Sequence, residues 1–286
     1  MWRTVPWLVP TVLIAAYGVI DRPIVKATVM IGVSVGATCF ALRGARARKG
    51  NRIYLLIVVA LGLWAAGWIG WQATILATGA PPTTSSLDNL LFLGGSGALI
   101  LALVAVLCRR EGSLVGLLDV STIAASLLVV AWASLLHKYT TVSLPPFGRA
   151  VQIAYGTSDV LLVAAGLRLL LAPRRRSAGG ALLLAATGAL VVSDLFWNWA
   201  TAFETYVAGS LADTGWLVWA VLGALAARHW THDAAAEDGG QHQARHHTLG
   251  RVALLGISAL VCPAVFVVEV FLDHVDATPL VIGGAP

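Results

Sequence analysis

Hydrophobic residues along this chain come in long blocks, not in the alternation of a strand or the narrow stripe of a surface helix. Nine blocks stand out: Val5–Ile20, Ile24–Leu42, Ile53–Thr78, Asp88–Leu107, Leu114–Leu136, Ala150–Ala172, Ala181–Phe203, Leu211–Ala227 and Val252–Leu272. A helix crosses the hydrocarbon core with about 20 apolar residues, and in lipid only helices and closed barrels satisfy every backbone polar group. The pattern predicts an all-α integral membrane protein, a bundle of nine complete transmembrane helices. A tenth apolar segment begins at Leu280, and the chain stops partway into it, at Gly283-Gly284-Ala285-Pro286. The expectation is of a fragment whose parent protein continues beyond this point.

The polar stretches between blocks alternate in charge. One set carries Arg43, Arg46, Arg48, Lys49 and Arg52, then Arg109 and Arg110, then Arg174, Arg175 and Arg176, then Arg228, Arg245 and Arg251. The other set, Gly79–Leu87, Glu204–Ser210 and Asp273–Pro279, has no Lys or Arg, and His137–Arg149 has only Lys138 and Arg149. Basic loops stay on the cytoplasmic side during insertion. The N-terminus is therefore expected in the cytoplasm, and the bundle in the plasma membrane.

Composition agrees with this class. Hydrophobic residues make up 58% and charged residues 12%, against about 25% charged in a soluble domain. The 19 Lys+Arg exceed the 14 Asp+Glu. Because the excess sits in alternate loops, it points to the bilayer as partner and not to nucleic acid. The loop 228–251 holds His229, His232, His242, His246 and His247 around an Ala- and Gly-rich stretch. A metal needs converging ligands, so a solvated cytoplasmic linker is the expectation there and no metal site. Cys39, Cys108 and Cys262 show no paired spacing and read as reduced thiols packed in the helices.

An ungapped offset of 125 residues aligns Arg43 with Arg168, Lys49 with Arg174, Ser85 with Ser210 and Asp88 with Asp213. It relates about 24–107 to about 150–227, the second to fourth blocks to the sixth to eighth. A shift of four helices preserves orientation, so this weak repeat is parallel.

Ionisable residues inside a span are costly and by default mark function. Asp159 lies about ten residues into the sixth block, and Asp194 is near the middle of the seventh. Asp194, Asn198 and Thr201 share one helical face, and Tyr155 is one turn from Asp159. Facing lipid would cost each carboxylate at least about 2.5 kcal/mol, so Asp159 and Asp194 are expected to meet in the core beside Tyr155, Asn198 and tryptophan. Asp88 and Asp213 start the fourth and eighth blocks and read first as helix caps. Arg168, near an inner helix end, is expected to snorkel to the headgroups.

Eleven tryptophans are many for this length. Trp64, Trp68 and Trp71 form a stripe, with Trp197, Trp199, Trp216 and Trp219 on later blocks. They fit an interfacial belt, or an aromatic pocket beside the acids that opens outward. The candidate ligand or proton site is Tyr155, Asp159, Asp194, Asn198, Asp213, Trp216, Asp88, Trp71 and Trp197. Gly32 and Gly36 form a GxxxG that predicts close helix packing. There is no P-loop, dinucleotide fingerprint, HExxH or nucleophile elbow, so no catalytic residue or cofactor is expected.

Four segments recur in a familiar order: Tyr155-Gly156-Thr157-Ser158-Asp159-Val160-Leu161-Leu162, Pro173-Arg174-Arg175-Arg176, Val192-Ser193-Asp194, and Gly209-Ser210-Leu211-Ala212-Asp213-Thr214-Gly215-Trp216. In this the chain resembles the multi-helix membrane sensor region of actinobacterial signalling proteins, most clearly over residues 119–272. Those proteins typically continue into a cytoplasmic GGDEF domain, often with an EAL domain, for cyclic di-GMP turnover. The family usually has Tyr-Pro ahead of the sixth-helix Asp, where this chain has Tyr155-Gly156. The resemblance implies a sensory input domain ahead of a diguanylate cyclase output through which the protein would dimerise; it names no stimulus, and the expected partner beside the bilayer is an unidentified small-molecule or lipid ligand. Neither GGDEF nor EAL motifs occur in these 286 residues, so no cyclase residue is carried over. The rival is a ten-helix small-molecule transporter of the drug/metabolite type, whose repeats are usually inverted.

Overall fold

The computed structural model describes residues 12–20, 22–43, 51–80, 82–83, 86–111, 113–141, 144–171, 178–203, 205–207, 209–210, 213–230, 254–258, 260–261 and 263–265. Among them there is no strand. Eight helices follow a short helical stretch at 12–17. They are α1 (Pro23–Leu42), α2 (Arg52–Thr78), α3 (Leu87–Glu111), α4 (Ser113–Ala131), α5 (Lys138–Thr141), α6 (Pro146–Leu171), α7 (Ala178–Ala202) and α8 (Thr214–His229). A π-helical turn, Trp132–Leu136, extends α4.

The helix ends follow local chemistry. Pro23 opens α1 at a position where its missing N–H is no loss. Asn51 caps α2 by accepting from the Ile53 and Tyr54 amides at 3.2 and 3.3 Å. Gly79, at φ 70°, closes the same helix in the left-handed region.

Six of the helices are long and apolar enough to cross a membrane: α1, α2, Leu87–Cys108 of α3, Gly116–Leu136, α6, and Ala178–Thr201 of α7. The chain is therefore a multi-pass membrane protein by length and composition. At 1.5 Å per residue the 16 residues of α8 span about 24 Å, below the roughly 30 Å hydrocarbon core. Residues 5–11 of the first block, about half of the ninth block (whose described residues 254–258, 260–261 and 263–265 are helical) and most of the His-rich loop 228–251 lie outside the described residues.

The helices pack in a cyclic order. α1 lies on α2, α2 on α3, α3 on α6, α6 on α7, α7 on α8, and α8 back on α1. The α2–α3 and α7–α8 pairs are the most extensive of these packings, and α4 sits outside the ring against α3 and α6. Contacts at one end fix the polarity. Arg228 stacks on the Phe40 ring at 4.6 Å, and Arg168 reaches Asp119 at 2.7 Å. Arg168 and Arg228, in the last turns of α6 and α8, thus mark one end of the bundle, while Arg22 and Arg149, at the starts of α1 and α6, belong to the other.

Three sequence expectations give way here. Arg168 does not snorkel: it is 4% exposed, and its Nε donates to Asp119 Oδ2. A cation near a helix end had two ways to be satisfied, headgroup or carboxylate, and α4 supplies the carboxylate. Gly32 and Gly36 mediate no close packing among the described residues, where a Cβ at either would meet nothing within 4 Å. The close approaches fall at other glycines. Gly67 receives the Phe92 ring and Gly95 the Trp64 ring, which interlocks α2 with α3, while Gly215 lies against Ser193 and Ala189 of α7. Nor is Cys39 packed: it is free and exposed, and Cys108 is free and half-buried.

Candidate functional site

At the end opposite Arg168 and Arg228, five helices converge on a cleft. The α2 tryptophans form one wall. Trp68 stands at the centre, with ring centroids 5.2 Å from Phe92, 5.3 Å from Trp216 and 6.3 Å from Trp71. Trp64 stacks on Phe92 at 4.9 Å. The facing wall is Tyr155, Trp197 and Tyr206, with centroids 5.4 Å and 6.4 Å apart in sequence. Asn89 and Asp194 complete the lining, and the cleft encloses about 380 Å³ including its mouth. Trp64, Trp68 and Trp71 are therefore pocket walls. Trp199 lies outside the cleft and is exposed, whereas Trp219 is buried in the core.

Asp194 is held from two sides. The Trp216 indole Nε1 donates to its Oδ1 at 2.7 Å, and behind it the Asp159 carboxyl lies within hydrogen-bonding reach. The Asn198 amide donates to Asp159 Oδ2 at 3.3 Å and to the Asp194 carbonyl at 2.9 Å. Asp159 Oδ1 and Asp194 Oδ2 have no donor. Two adjacent carboxyls can hold one proton between them, which would satisfy an oxygen of each. Tyr155 sits one turn before Asp159, and its hydroxyl donates to Asn89 Oδ1 at 3.0 Å. Neither Asp159 nor Asp194 has a Lys or Arg partner among the described residues.

The structure thus brings together Tyr155, Asp159, Asp194, Asn198, Trp71, Trp197 and Trp216. Thr201, on the same face, is half-buried with its hydroxyl unpartnered. Asp88 is buried beside Gly70 of α2, behind the cleft wall, with one oxygen unpartnered.

Asp213 lies apart. It precedes α8 but makes no side-chain cap, which corrects its reading as a helix cap. Its carboxylate turns back on the loop instead, accepting from the Gly209 amide at 2.6 Å and the Tyr206 hydroxyl at 3.2 Å. Burial outweighs these donors and Lys26 and raises its pKa to about 6. The Lys26 ammonium donates to the Gly209 carbonyl at 2.5 Å, so α1 ties down the loop that carries Tyr206. Gly209 takes φ 83°, which favours glycine.

Asn89, Phe92 and Tyr206 were not among the candidates read from the sequence. Asn89 and Phe92 follow Asp88 by one and four residues, so the start of α3 offered a signal. Tyr206 is in an aperiodic loop and offered none. Among the described residues no three His, Cys, Asp or Glu side chains converge as a metal site would require. No protein-family model matches the chain, and no curated protein or solved structure is significantly similar to it.

Proposed function

We propose that this chain is the membrane-embedded input domain of a signalling protein, one that receives a small ligand on the outer face and passes the signal to a cytoplasmic output domain. The observation that carries this is the aromatic cleft with Asp194 at the end remote from Arg168 and Arg228. Its walls come from α2, α3, α6, α7 and α8, hence from both sequence halves. An occupant touching both halves can favour one packing of them over another, which is what a sensor requires. The GGDEF class of output is supported by the resemblance of the segments around Asp159, Asp194 and Asp213.

The neighbour order α1–α2–α3 and α6–α7–α8, with closing contacts α3–α6 and α8–α1, is the order a two-fold axis along the bundle would generate. It supports a parallel repeat and weighs against the transporter, whose inverted halves need an axis in the membrane plane. Each half also sets its third helix against the first helix of the other: Tyr155 of α6 bonds Asn89 of α3, and Lys26 of α1 bonds the loop before α8.

The reading frame beyond Pro286 tests the class. A returning helix followed by a GGDEF-type domain is expected. A stop codon there, together with saturable solute uptake by proteoliposomes of this chain, would replace the sensor with the transporter. Orientation is tested separately by cysteine labelling in a background freed of Cys39, Cys108 and Cys262. An impermeant maleimide should label Ala80→Cys in intact cells and Arg43→Cys only after permeabilisation. The reverse pattern would invert the topology.

A further inference from the structure

The lining of the cleft selects among ligand charges. Eight of its ten side chains are aromatic, and the other two are Asn89 and Asp194. No Lys, Arg or His is among them. An aromatic ring presents a negative face and a positive edge. An anion would meet those faces and a carboxylate with no counter-charge. A neutral apolar ligand would bury Asp194 without compensating it. A bare metal ion is also poorly served, because a hard cation takes six or more oxygen ligands and the lining is mostly carbon.

We propose that the cleft binds a small organic cation, an alkylammonium or quaternary ammonium group, among the rings of Trp68, Trp71 and Trp216 with Asp194 as its counter-charge. This rests on the reading of the cleft as a ligand site and names the ligand class. A cation within about 6 Å of a ring centroid is attracted by the ring quadrupole, most strongly by Trp. Three tryptophans meet here around Trp68, with centroid separations of 5.3 and 6.3 Å. The carboxylate is one of the lining groups and is fixed in place: Trp216 Nε1 donates to one Asp194 oxygen at 2.7 Å, and the other, buried, has no donor among the described residues. Asp159 lies behind it without an ion-pair partner, so a cation in the cleft compensates charge on a two-carboxyl unit.

The test uses the full chain in nanodiscs, with choline and its neutral carbon isostere 3,3-dimethyl-1-butanol as probes. Tryptophan fluorescence and calorimetry are the readouts. Choline should bind saturably, and the isostere more weakly by about tenfold or more, a factor within reach of one desolvated cation–π contact plus a counter-charge. Asp194→Asn should remove most of that preference for charge. Trp71→Leu, at a half-buried position that leaves the helix core intact, should weaken choline by about tenfold. Each variant is compared with wild type by size exclusion, and Trp71→Leu keeps the test informative if Asp194→Asn does not fold. Equal binding of choline and the isostere, both lost in Trp71→Leu, would refute the cation while leaving a ligand site. Absence of binding by any probe, including acetate as the anion control, would remove the cation proposal and the ligand-site reading together.

Discussion

Arg168→Leu should leave the protein unable to hold its native bundle. The guanidinium Nε lies 2.7 Å from Asp119 Oδ2, and both side chains are 5% exposed. A buried pair contributes modestly against two well-packed apolar residues. Removing one partner is a different matter, because it strands the other charge, at a cost of about 3–5 kcal/mol. Here the group that loses its guanidinium is Asp119 of α4, the helix outside the ring that contacts α3 and α6. The expected result is loss of the monodisperse peak in detergent and a large fall in thermal stability. The double variant Asp119→Leu/Arg168→Leu should regain most of that loss, since it buries no unpaired charge. If the single and double variants were equally damaged, the guanidinium would act through its other contacts and not through Asp119. If Arg168→Leu behaved as wild type, the pair would be exposed in the native bilayer.

The same residue shows where reading the chain stops. Block length located the helices among the described residues, because lipid leaves a spanning backbone no other means of satisfying its polar groups. It overstated their length: nine complete spans were expected, and six described helices are long and apolar enough to cross. The blocks Ile53–Thr78 and Ile24–Leu42 match α2 and α1 to within a residue at each end. Block length reports depth, however, and not direction or partner. Arg168 has the depth of a snorkelling residue, but the carboxylate that claims it is 49 residues away. Asp213 has the position of a cap, but its loop offers nearer donors than the helix does. By contrast, the Asp194–Asn198 face and the Trp64–Trp68–Trp71 stripe were legible, because i, i+4 and i+7 spacing fixes a direction within one helix. What could not be read was which helices those faces would meet. Trp216 opens α8 and Tyr206 is in a loop, yet both close the cleft around Asp194.

Gly156 shows the same limit from the other side. The proline of the resembled pattern would kink a helix, whereas α6 runs unbroken from Pro146 to Leu171. The glycine instead makes room for Leu136, the last residue of the π-helical turn. A π turn shifts the register of the side chains that follow it. The residue that fits against it was therefore decided by a distortion with no local signature.

Glycine substitutions provide the sharpest contrast between motif and geometry. Gly215→Leu is expected to be severely destabilising and Gly32→Leu nearly neutral, although only Gly32 belongs to a recognised packing motif. A Cβ at Gly215 would overlap the Ser193 hydroxyl and stand 2.9 Å from the Ala189 carbonyl oxygen. The second contact is with backbone, so no rotamer change relieves it. α8 would have to move away from α7, and this pair is among the two most extensive packings in the bundle. Overpacking a close interface costs typically about 1–3 kcal/mol and more where backbone must shift. The shift would also draw Trp216, the next residue, away from Asp194 and open the cleft. At Gly32 a Cβ meets nothing within 4 Å, and helix propensity favours leucine over glycine by about 0.8 kcal/mol. Thermal unfolding of the two variants in nanodiscs separates the cases, with indole emission reporting Trp216. A Gly215→Leu protein as stable as wild type would mean that α7 and α8 do not approach this closely. A Gly32→Leu protein that failed to fold would place a packing partner on that face of α1.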